Sequence, residues 1–364
     1  MIPYYENKNG VLYNGDAIDV ATWVKPESVQ CIVTSPPYYG LRDYFSSDET
    51  QLGLEKTPDL FIEHLIEIFR EVRKVLHPTG TLWIVIGDTY CVPSTKRERE
   101  LEMKPGVLEK NLIGIPWKLA FALQKDGWWL RRDIIWYAKN KMPEPVKDRP
   151  VRKHEYIFLL TKKPHYFYDD IAIQEPFENG SSESEYMGER SKVVRDTGGM
   201  FKAGQPIKRK LLGRAKHSVW MIPIEATDDG HHAAFPSDLV KICVKAGTSE
   251  KGCCSKCFAP IVPVIPDYRI TKSYETPREI IGWEPSCKCD AEIIPCTVLD
   301  PFAGRGTTLM MAEKLGRRWI GIEVTKEASE IIRQNMITRK FGLKPITEPA
   351  NGLLSKEEIE LEVK

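Results

Sequence analysis

No stretch of this 364-residue chain approaches the roughly 20 consecutive apolar residues needed to cross a membrane. The opening residues, MIPYYENKNG, lack both a basic head and an apolar segment. A secretory signal is therefore missing, and a cytoplasmic protein is expected. Charge of one sign is not in excess either: 52 Lys and Arg against 51 Asp and Glu leave a formal +1. Any contact with a polyanion must then come from local patches. Internal repeats and long low-complexity tracts are also lacking. What remains is a chain with 42% hydrophobic residues, long enough for one large α/β domain with insertions or for two domains. Nine cysteines without an export signal point to metal ligation or chemistry before disulfides.

The first part reads as alternating strands and helices. VLYNGDAI and VQCIVTSPPYY are strand-like runs ending in polar or turn residues. DLFIEHLIEIFREVRKVLH carries apolar residues at helical spacing and is expected to stop before Pro78 and Gly80. GTLWIVIGDTY reads as a buried strand and IPWKLAFALQKDGW as a helix with Pro in its first turn and Gly past its end. WLRRDIIWYAK and HEYIFLLTK read as a hairpin at one edge of the sheet. This rhythm predicts an α/β fold, a doubly wound and mostly parallel sheet covered by helices. From about Pro164 to Ile224 the periodicity is lost among Gly, Ser, Lys and Arg. PSDLVKICVKAG resumes the helical pattern, and a cysteine-bearing insertion follows from about Thr248 to Cys296.

Two segments carry chemistry. Asp300 to Thr308, DPFAGRGTT, follows the apolar strand TVL and opens a helix. Gly304 and Gly306 let the backbone turn sharply and approach a ligand, and the helix start offers unpaired N–H groups. Glu323 closes the next strand, IGIEV, where a carboxylate can accept both hydroxyls of a ribose. No Gly-Lys-Ser/Thr follows and the spacing is not G-x-G-x-x-G, so a nucleoside cofactor other than ATP or NAD is expected. Thr34 to Tyr39, TSPPYY, ends the strand CIV. Pro36 and Pro37 stiffen the backbone and leave the carbonyl of Ser35 or Pro36 as a rigid acceptor. Tyr38 offers a flat face for a base and Ser35 a hydroxyl. Such fixed acceptors suit an exocyclic amino group, whose lone pair is delocalised until its N–H groups are held. It can then attack a sulfonium methyl without a covalent enzyme intermediate, once the base has left the duplex.

TSPPYYGLRDY resembles the catalytic motif of amino-group DNA methyltransferases of the beta arrangement, in which that motif precedes the cofactor loop. DPFAGRGTT is similar to their D-P-F-x-G-S-G-T-T loop, with Arg305 where Ser is more usual. The resemblance covers most of residues 11–165 and 231–325. It implies a Rossmann-like, S-adenosylmethionine-dependent fold, with Asp300, Phe302, Gly304, Gly306 and Thr307 at the cofactor. It further implies that Asp16 of NGDAID meets the adenine, Glu323 holds the ribose, and Phe235 and Pro236 of AAFPSDLVKICVKAG flank the methionine part. Ser35, Pro36, Pro37 and Tyr38 would be catalytic. Ser-Pro-Pro-Tyr is more typical of cytosine-N4 enzymes and Asp-Pro-Pro-Tyr of adenine-N6 enzymes. The expected activity is therefore methylation of cytosine N4 in double-stranded DNA. The alternatives are an adenine-N6 enzyme of the same mechanism, a methyltransferase for RNA or a small molecule, and a non-catalytic DNA-binding protein that kept the fold. A companion restriction endonuclease is a possible partner.

Cys254-Ser-Lys-Cys257 and Cys287-Lys-Cys289 offer four thiolates for a structural zinc ion, with Cys253 leaving the choice of ligands open. The alternative is a group of reduced, unliganded thiols. Cys296 reads as a core thiol, and His231 and His232 as packing or capping residues. Lys202, Lys208, Arg209, Lys210, Arg214 and Lys216 form a basic run without an acid, and Lys139, Lys141, Lys147, Arg149, Arg152 and Lys153 form another. Lys208, Arg209, Lys210, Arg214 and Lys216 are the favoured phosphate or base contacts, against the plainer reading of a solvated face. The loop 90–110 reads as a surface loop able to close over DNA. The expected organisation is a catalytic half at 1–165 and target recognition at 166–230. A cofactor half follows at 231–247 and 297–345, interrupted by a zinc-knuckle insertion at 248–296, with a tail at 346–364.

Overall fold

The computed structural model describes residues 2–40, 51–91, 108–141, 144–175, 184–185, 208–209, 215–225, 235–264 and 280–338. Strands β1 (Tyr5–Asn7) and β2 (Gly10–Asn14) form a hairpin, followed by a one-turn helix α1 (Val20–Trp23). Strand β3 (Val29–Thr34) is buried at all six positions, as expected of a strand covered on both faces. Helix α2 (Pro58–Val75) starts where the Thr57 hydroxyl accepts the Leu60 N–H and Pro58 takes the first turn. It buries Phe61, Leu65, Phe69 and Val72 and ends in Arg73 and Lys74, which suit the helix C-terminus.

The next strand, β4 (Leu76–Ile86), begins directly at the end of α2 and runs through His77 and Pro78. The sequence pattern places this boundary later. The buried side chain of Leu76 and its pairing with Val29 pull it into the sheet. Helix α3 (Ile115–Lys125), strands β5 (Trp129–Tyr137) and β6 (His154–Thr161), and the paired dipeptides β7 (Ser184–Glu185) and β8 (Lys208–Arg209) come next. Then follow β9 (Val219–Met221), helix α4 (Ser237–Gly247) and the short strands β10 (Cys253–Cys254), β11 (Ile261–Val264), β12 (Gly282–Pro285) and β13 (Ile293–Ile294). The chain closes with β14 (Thr297–Asp300), α5 (Thr307–Lys314), β15 (Arg318–Glu323) and α6 (Lys326–Thr338).

Nine of the described strands make one sheet in the order β1-β2-β15-β14-β3-β4-β6-β5-β9. The five from β2 to β4 are mutually parallel; β6 runs antiparallel to both β4 and β5, and β9 runs parallel to β5 on its outer side. The hairpin of β5 and β6 is therefore one strand in from the edge that the sequence suggests, because three residues near 220 add on beyond it. Period-two alternation divides the core. Ile32, Leu82, Ile84 and Leu299 face α2 and α3, whereas Cys31, Val33, Trp83 and Val298 face α4 and α5. Helices on both faces make the sheet doubly wound, as the sequence predicts. None of the described helices is long and apolar enough to cross a membrane.

Candidate active site

Strands β3 and β14 are parallel neighbours, with Val298 opposite Cys31 and Leu299 opposite Ile32. Their carboxyl ends therefore emerge side by side, TSPPYY from one and DPFAGRGTT from the other. The join is direct. Thr34 Oγ1 donates to Asp300 Oδ1 at 2.6 Å, and Thr308 Oγ1 donates to the Val33 carbonyl at 3.2 Å. Asp300 is 1% exposed and also accepts the Phe302 N–H at 3.1 Å. Burial pushes its carboxyl up to about 6, against the pull of the Thr34 and Thr308 hydroxyls and the Phe302 N–H. Asp300 thus clamps the two turns together; it lies beneath the cleft surface, hidden from solvent.

The cofactor-type turn is built as its glycines require. Gly304 and Gly306 have φ of +55° and +85°, a left-handed conformation that L side chains rarely take. They differ in what they face. A Cβ on Gly306 would stand 3.1 Å from Ile332 Cγ2, toward α6, whereas one on Gly304 would meet nothing closer than the Phe302 carbonyl at 3.9 Å. The open side is at Gly304. Thr307 starts α5, and Gly306 is its cap. Glu323 ends β15; its Oε2 accepts the Gly304 N–H at 2.9 Å, and its Oε1 accepts the Thr325 N–H and hydroxyl at 3.0 and 2.8 Å. Burial raises its pKa. Its carbonyl takes the Gly15 N–H at 3.0 Å, which brings exposed Asp16 alongside. Asp16 caps the turn at Ala17–Asp19 by accepting the Ile18 N–H. Phe235 and Pro236 are buried at the start of α4, in the core layer that holds Ala303 and Met310.

On the other turn, Pro36 is buried, and Ser35, Pro37 and Tyr38 are half-buried. Tyr38 lies against Gly87, where a Cβ would come within 2.8 Å of Cε2. Its hydroxyl donates to Glu155 Oε2 at 2.6 Å, and Glu155 Oε1 pairs with Lys141 Nζ at 2.9 Å. Burial first, and then the Glu155 carboxylate, push the phenol well up. Asp88, just past β4, accepts the N–H groups of Thr89, Gly114 and Ile115 on Oδ1 and so holds the start of α3.

At the opposite edge of the sheet, Cys254, Cys257, Cys287 and Cys289 bring their sulfurs within 4.8 Å of one another. Tetrahedral zinc with Zn–S near 2.3 Å needs sulfurs about 3.8 Å apart, so the set fits that geometry. Hydrogen bonding from the Cys257 backbone lowers the pKa of the Cys254 thiol. Cys253 turns inward, 1% exposed, toward the Pro295 carbonyl, and Cys296 is fully buried. Gln30 ties the knuckle to the sheet: its Nε2 donates to the Phe258 carbonyl at 3.1 Å and its Oε1 accepts the Thr297 N–H at 2.7 Å.

Of the basic residues, Lys216 pairs with Glu175 at 2.8 Å and lies over the Trp220 ring, so a phosphate would compete with that pair. Lys208 and Arg209 are placed as backbone only. Lys210, Arg214, His231, His232, the tail 346–364 and most of the loop 90–110 lie outside the described residues.

A family model described as DNA methylase, of the N6/N4 type, matches residues 29–259 and 272–334. This chain belongs to that DNA methylase family. Type II methyltransferase M.XycI of Xanthomonas campestris pv. cyanopsidis is 36% identical over 332 residues, covering 88% of this methylase and 85% of that protein. Type II methyltransferase M.SmaI of Serratia marcescens is 33% identical over 338 residues, covering 90% of each. Among solved structures, the PvuII DNA methyltransferase (cytosine-N4-specific) matches with a TM-score of 0.55 at 16% identity, covering 99% of this methylase and 93% of that chain. That last likeness is one of fold.

Glu155, Asp88 and Glu225, which caps α4 by accepting the Ser237 N–H at 3.0 Å, escaped the motif reading, whereas Lys141, read as part of a basic run, pairs with Glu155. One signal was present for Asp88: a carboxylate ending a buried strand in an α/β sheet stands at the ligand edge. Glu155 opens an antiparallel strand, so its start meets that same edge, and only the pairing of Ile86 with Tyr156 reveals it.

Proposed function

We propose that this methylase binds S-adenosylmethionine along the Gly304 side of the turn and transfers the methyl group to N4 of a cytosine extruded from duplex DNA. The observation that carries the reading is the 2.6 Å bond from Thr34 to Asp300, which fixes the SPPY turn beside the glycine turn. Glu323 already accepts three donors, which leaves about one of its four lone-pair sites for a ribose hydroxyl. Phe235, Pro236, Phe302 and Thr307 would line the cofactor, with Asp16 beside its adenine. The sulfonium supplies an electrophilic methyl. The chain's own part is to hold an amine N–H against Ser35 and the Pro36 carbonyl so that the nitrogen lone pair faces that carbon. Cytosine is favoured over adenine because Ser35 stands where adenine-N6 enzymes typically carry Asp. By relation to the Type II methyltransferases named above, the enzyme protects DNA from a companion endonuclease. Lys208, Arg209, Lys210 and Arg214 then supply phosphate contacts within target recognition, at 166–230.

The same reading gives the four-cysteine cluster a structural zinc ion, which would fold an insertion with little apolar core of its own. Elemental analysis of purified protein should give one equivalent. Digestion to nucleosides and mass spectrometry of DNA treated with protein and cofactor should give N4-methylcytosine. Finding only N6-methyladenine overturns the choice of base, and no binding of S-adenosylmethionine by calorimetry overturns the enzyme.

A further inference from the structure

The segment that joins β5 to β6 leaves the sheet at the carboxyl edge. β6 starts beside the end of β4, with Tyr156 opposite Ile86, and β5 ends beside that start, with Tyr137 opposite His154. From Lys139 to Lys153 the segment carries six basic and two acidic side chains, a net +4 in a chain whose formal total is +1. Such a local excess repels itself and has to be held in place. Lys141 pairs with Glu155, the carboxylate that also takes the Tyr38 hydroxyl. Lys153 Nζ donates to the Lys141 carbonyl, the Ala138 N–H donates to the Lys153 carbonyl at 2.9 Å, and Arg152 stands 3.8 Å from Glu144. Asn140 exchanges two hydrogen bonds with the Ile224 backbone, at 2.8 and 2.7 Å. Pro145 and Pro150 fix two further φ angles. Three cations thus hold the segment in shape, and three are left for a partner. Lys139 and Lys147 are exposed and pair with no carboxylate among the described residues. Arg149 lies over the Tyr90 ring, 4.1 Å from its centroid, just past the end of β4. One of its donors goes to Asp148 at 2.8 Å, a carboxylate 73% exposed. A surface pair of that kind is weak, so a phosphate oxygen can take its place.

We infer that Lys139, Lys147 and Arg149 form a phosphate clamp at the mouth of the cleft, gripping duplex DNA by the backbone of the strand whose base is extruded. The inference rests on the DNA methylation proposed above and adds a second phosphate-binding surface, outside the recognition region 166–230. A base leaves the stack by rotation about its own backbone, so the phosphates beside it have to be held close to the pocket. Contacts made by a recognition region fix the register on the duplex instead. The basic segment is anchored two bonds from the catalytic turn: Tyr38 to Glu155 at 2.6 Å, and Glu155 to Lys141 at 2.9 Å. Stacking on Tyr90 fixes the plane of the Arg149 guanidinium and leaves its N–H edge free to meet two phosphate oxygens at once. Lys139 and Lys147 add compact point charges on either side of the turn that Asn140 and Lys141 make. The +1 total of the chain is no obstacle, because the excess is concentrated where the strand has to pass.

The test is binding of the full-length protein to a labelled DNA duplex of arbitrary sequence across a series of salt concentrations. Calorimetric affinity for S-adenosylmethionine and thermal melting are read in parallel. The slope of log affinity against log salt counts the phosphates neutralised, at about 0.9 for each. Lys139→Gln, Lys147→Gln and Arg149→Gln should each lower that slope by about 0.9. The triple variant should bind at least about tenfold more weakly at low salt, with cofactor affinity within about twofold of wild type. Lys125→Gln, at an exposed lysine ending α3, should leave the slope in place. A triple variant with the wild-type slope and affinity overturns the inference. So does a Lys125→Gln variant that lowers the slope as much as Arg149→Gln does, because net charge alone would then account for binding. If the triple variant fails to fold, Lys139→Gln and Lys147→Gln decide by the same slope, since both side chains are exposed. A wild type that methylates plasmid DNA while the triple variant keeps full affinity sinks only the clamp. A wild type that neither binds duplex nor methylates it sinks the functional reading itself.

Discussion

The two edges of the central sheet use their polar residues in opposite ways. At the carboxyl edge, the carboxylates of Asp300 and Glu323 are buried, held by N–H and hydroxyl donors, and raised in pKa by that burial. At the other edge, the cysteine cluster sits on β3 and β14 through Gln30. Thr34 and Gln30 lie on one strand about 13 Å apart at 3.3 Å per residue. The carboxyl edge accepts electrostatic cost to hold a site in shape. The other edge gathers soft ligands to hold an insertion in place. Disturbing one should leave the other's property nearly intact, and each edge can be broken separately.

The largest effect should come from Asp300→Ala. It strips Thr34 and Phe302 of a buried acceptor and should cost about 2–4 kcal/mol of stability, with cofactor binding lost by calorimetry. Next is Cys257→Ser, or removal of metal with a chelator. Melting should fall by several degrees while cofactor affinity changes less than about threefold, because the knuckle is remote from the cleft. Gly306→Val should follow, through its positive φ and the contact with Ile332, lowering melting temperature more than Gly304→Ala does. Gly304→Ala should cost about 1 kcal/mol in stability and act mainly on cofactor affinity, since that glycine faces the open side.

The smallest effect is a pH dependence. Asp300 titrates near 6 in the folded chain and near the ordinary carboxylate value when unfolded. Between about pH 4 and 6 the folded state then holds a proton that the unfolded state has lost. Stability from this group therefore falls as pH rises through the window, by up to about 1.4 kcal/mol per unit. Asp300→Asn should flatten that slope in denaturant titrations. An unchanged slope would show that Asp300 is not the buried group responsible.

The sequence made the two turns legible because each is contiguous: the prolines, glycines and flanking apolar strands sit within ten residues. Their adjacency was an expectation from strand topology, and the bond between Thr34 and Asp300 spans 266 positions. Glu155 was invisible for a different reason. Its partner Tyr38 is 117 residues away, across a strand that changes direction in the sheet. The choice among Cys253, Cys254 and their partners also needed structure. The short pairing of β10 with β13 decides which sulfur turns inward and which joins the cluster. Residue types and local spacing carry chemistry in sequence; direction across a sheet does not.

The most direct test of the shared cleft is a crystal structure with a sulfonium analogue of the cofactor. Reacting atoms stand about 3–3.5 Å apart before transfer, and an amine held by Ser35 sits about 3 Å from its oxygen. The account predicts the methyl-equivalent atom within about 6–7 Å of Ser35 Oγ, with the ribose on Glu323. An analogue bound away from Gly304, or with that atom far beyond such reach of Ser35, would contradict it.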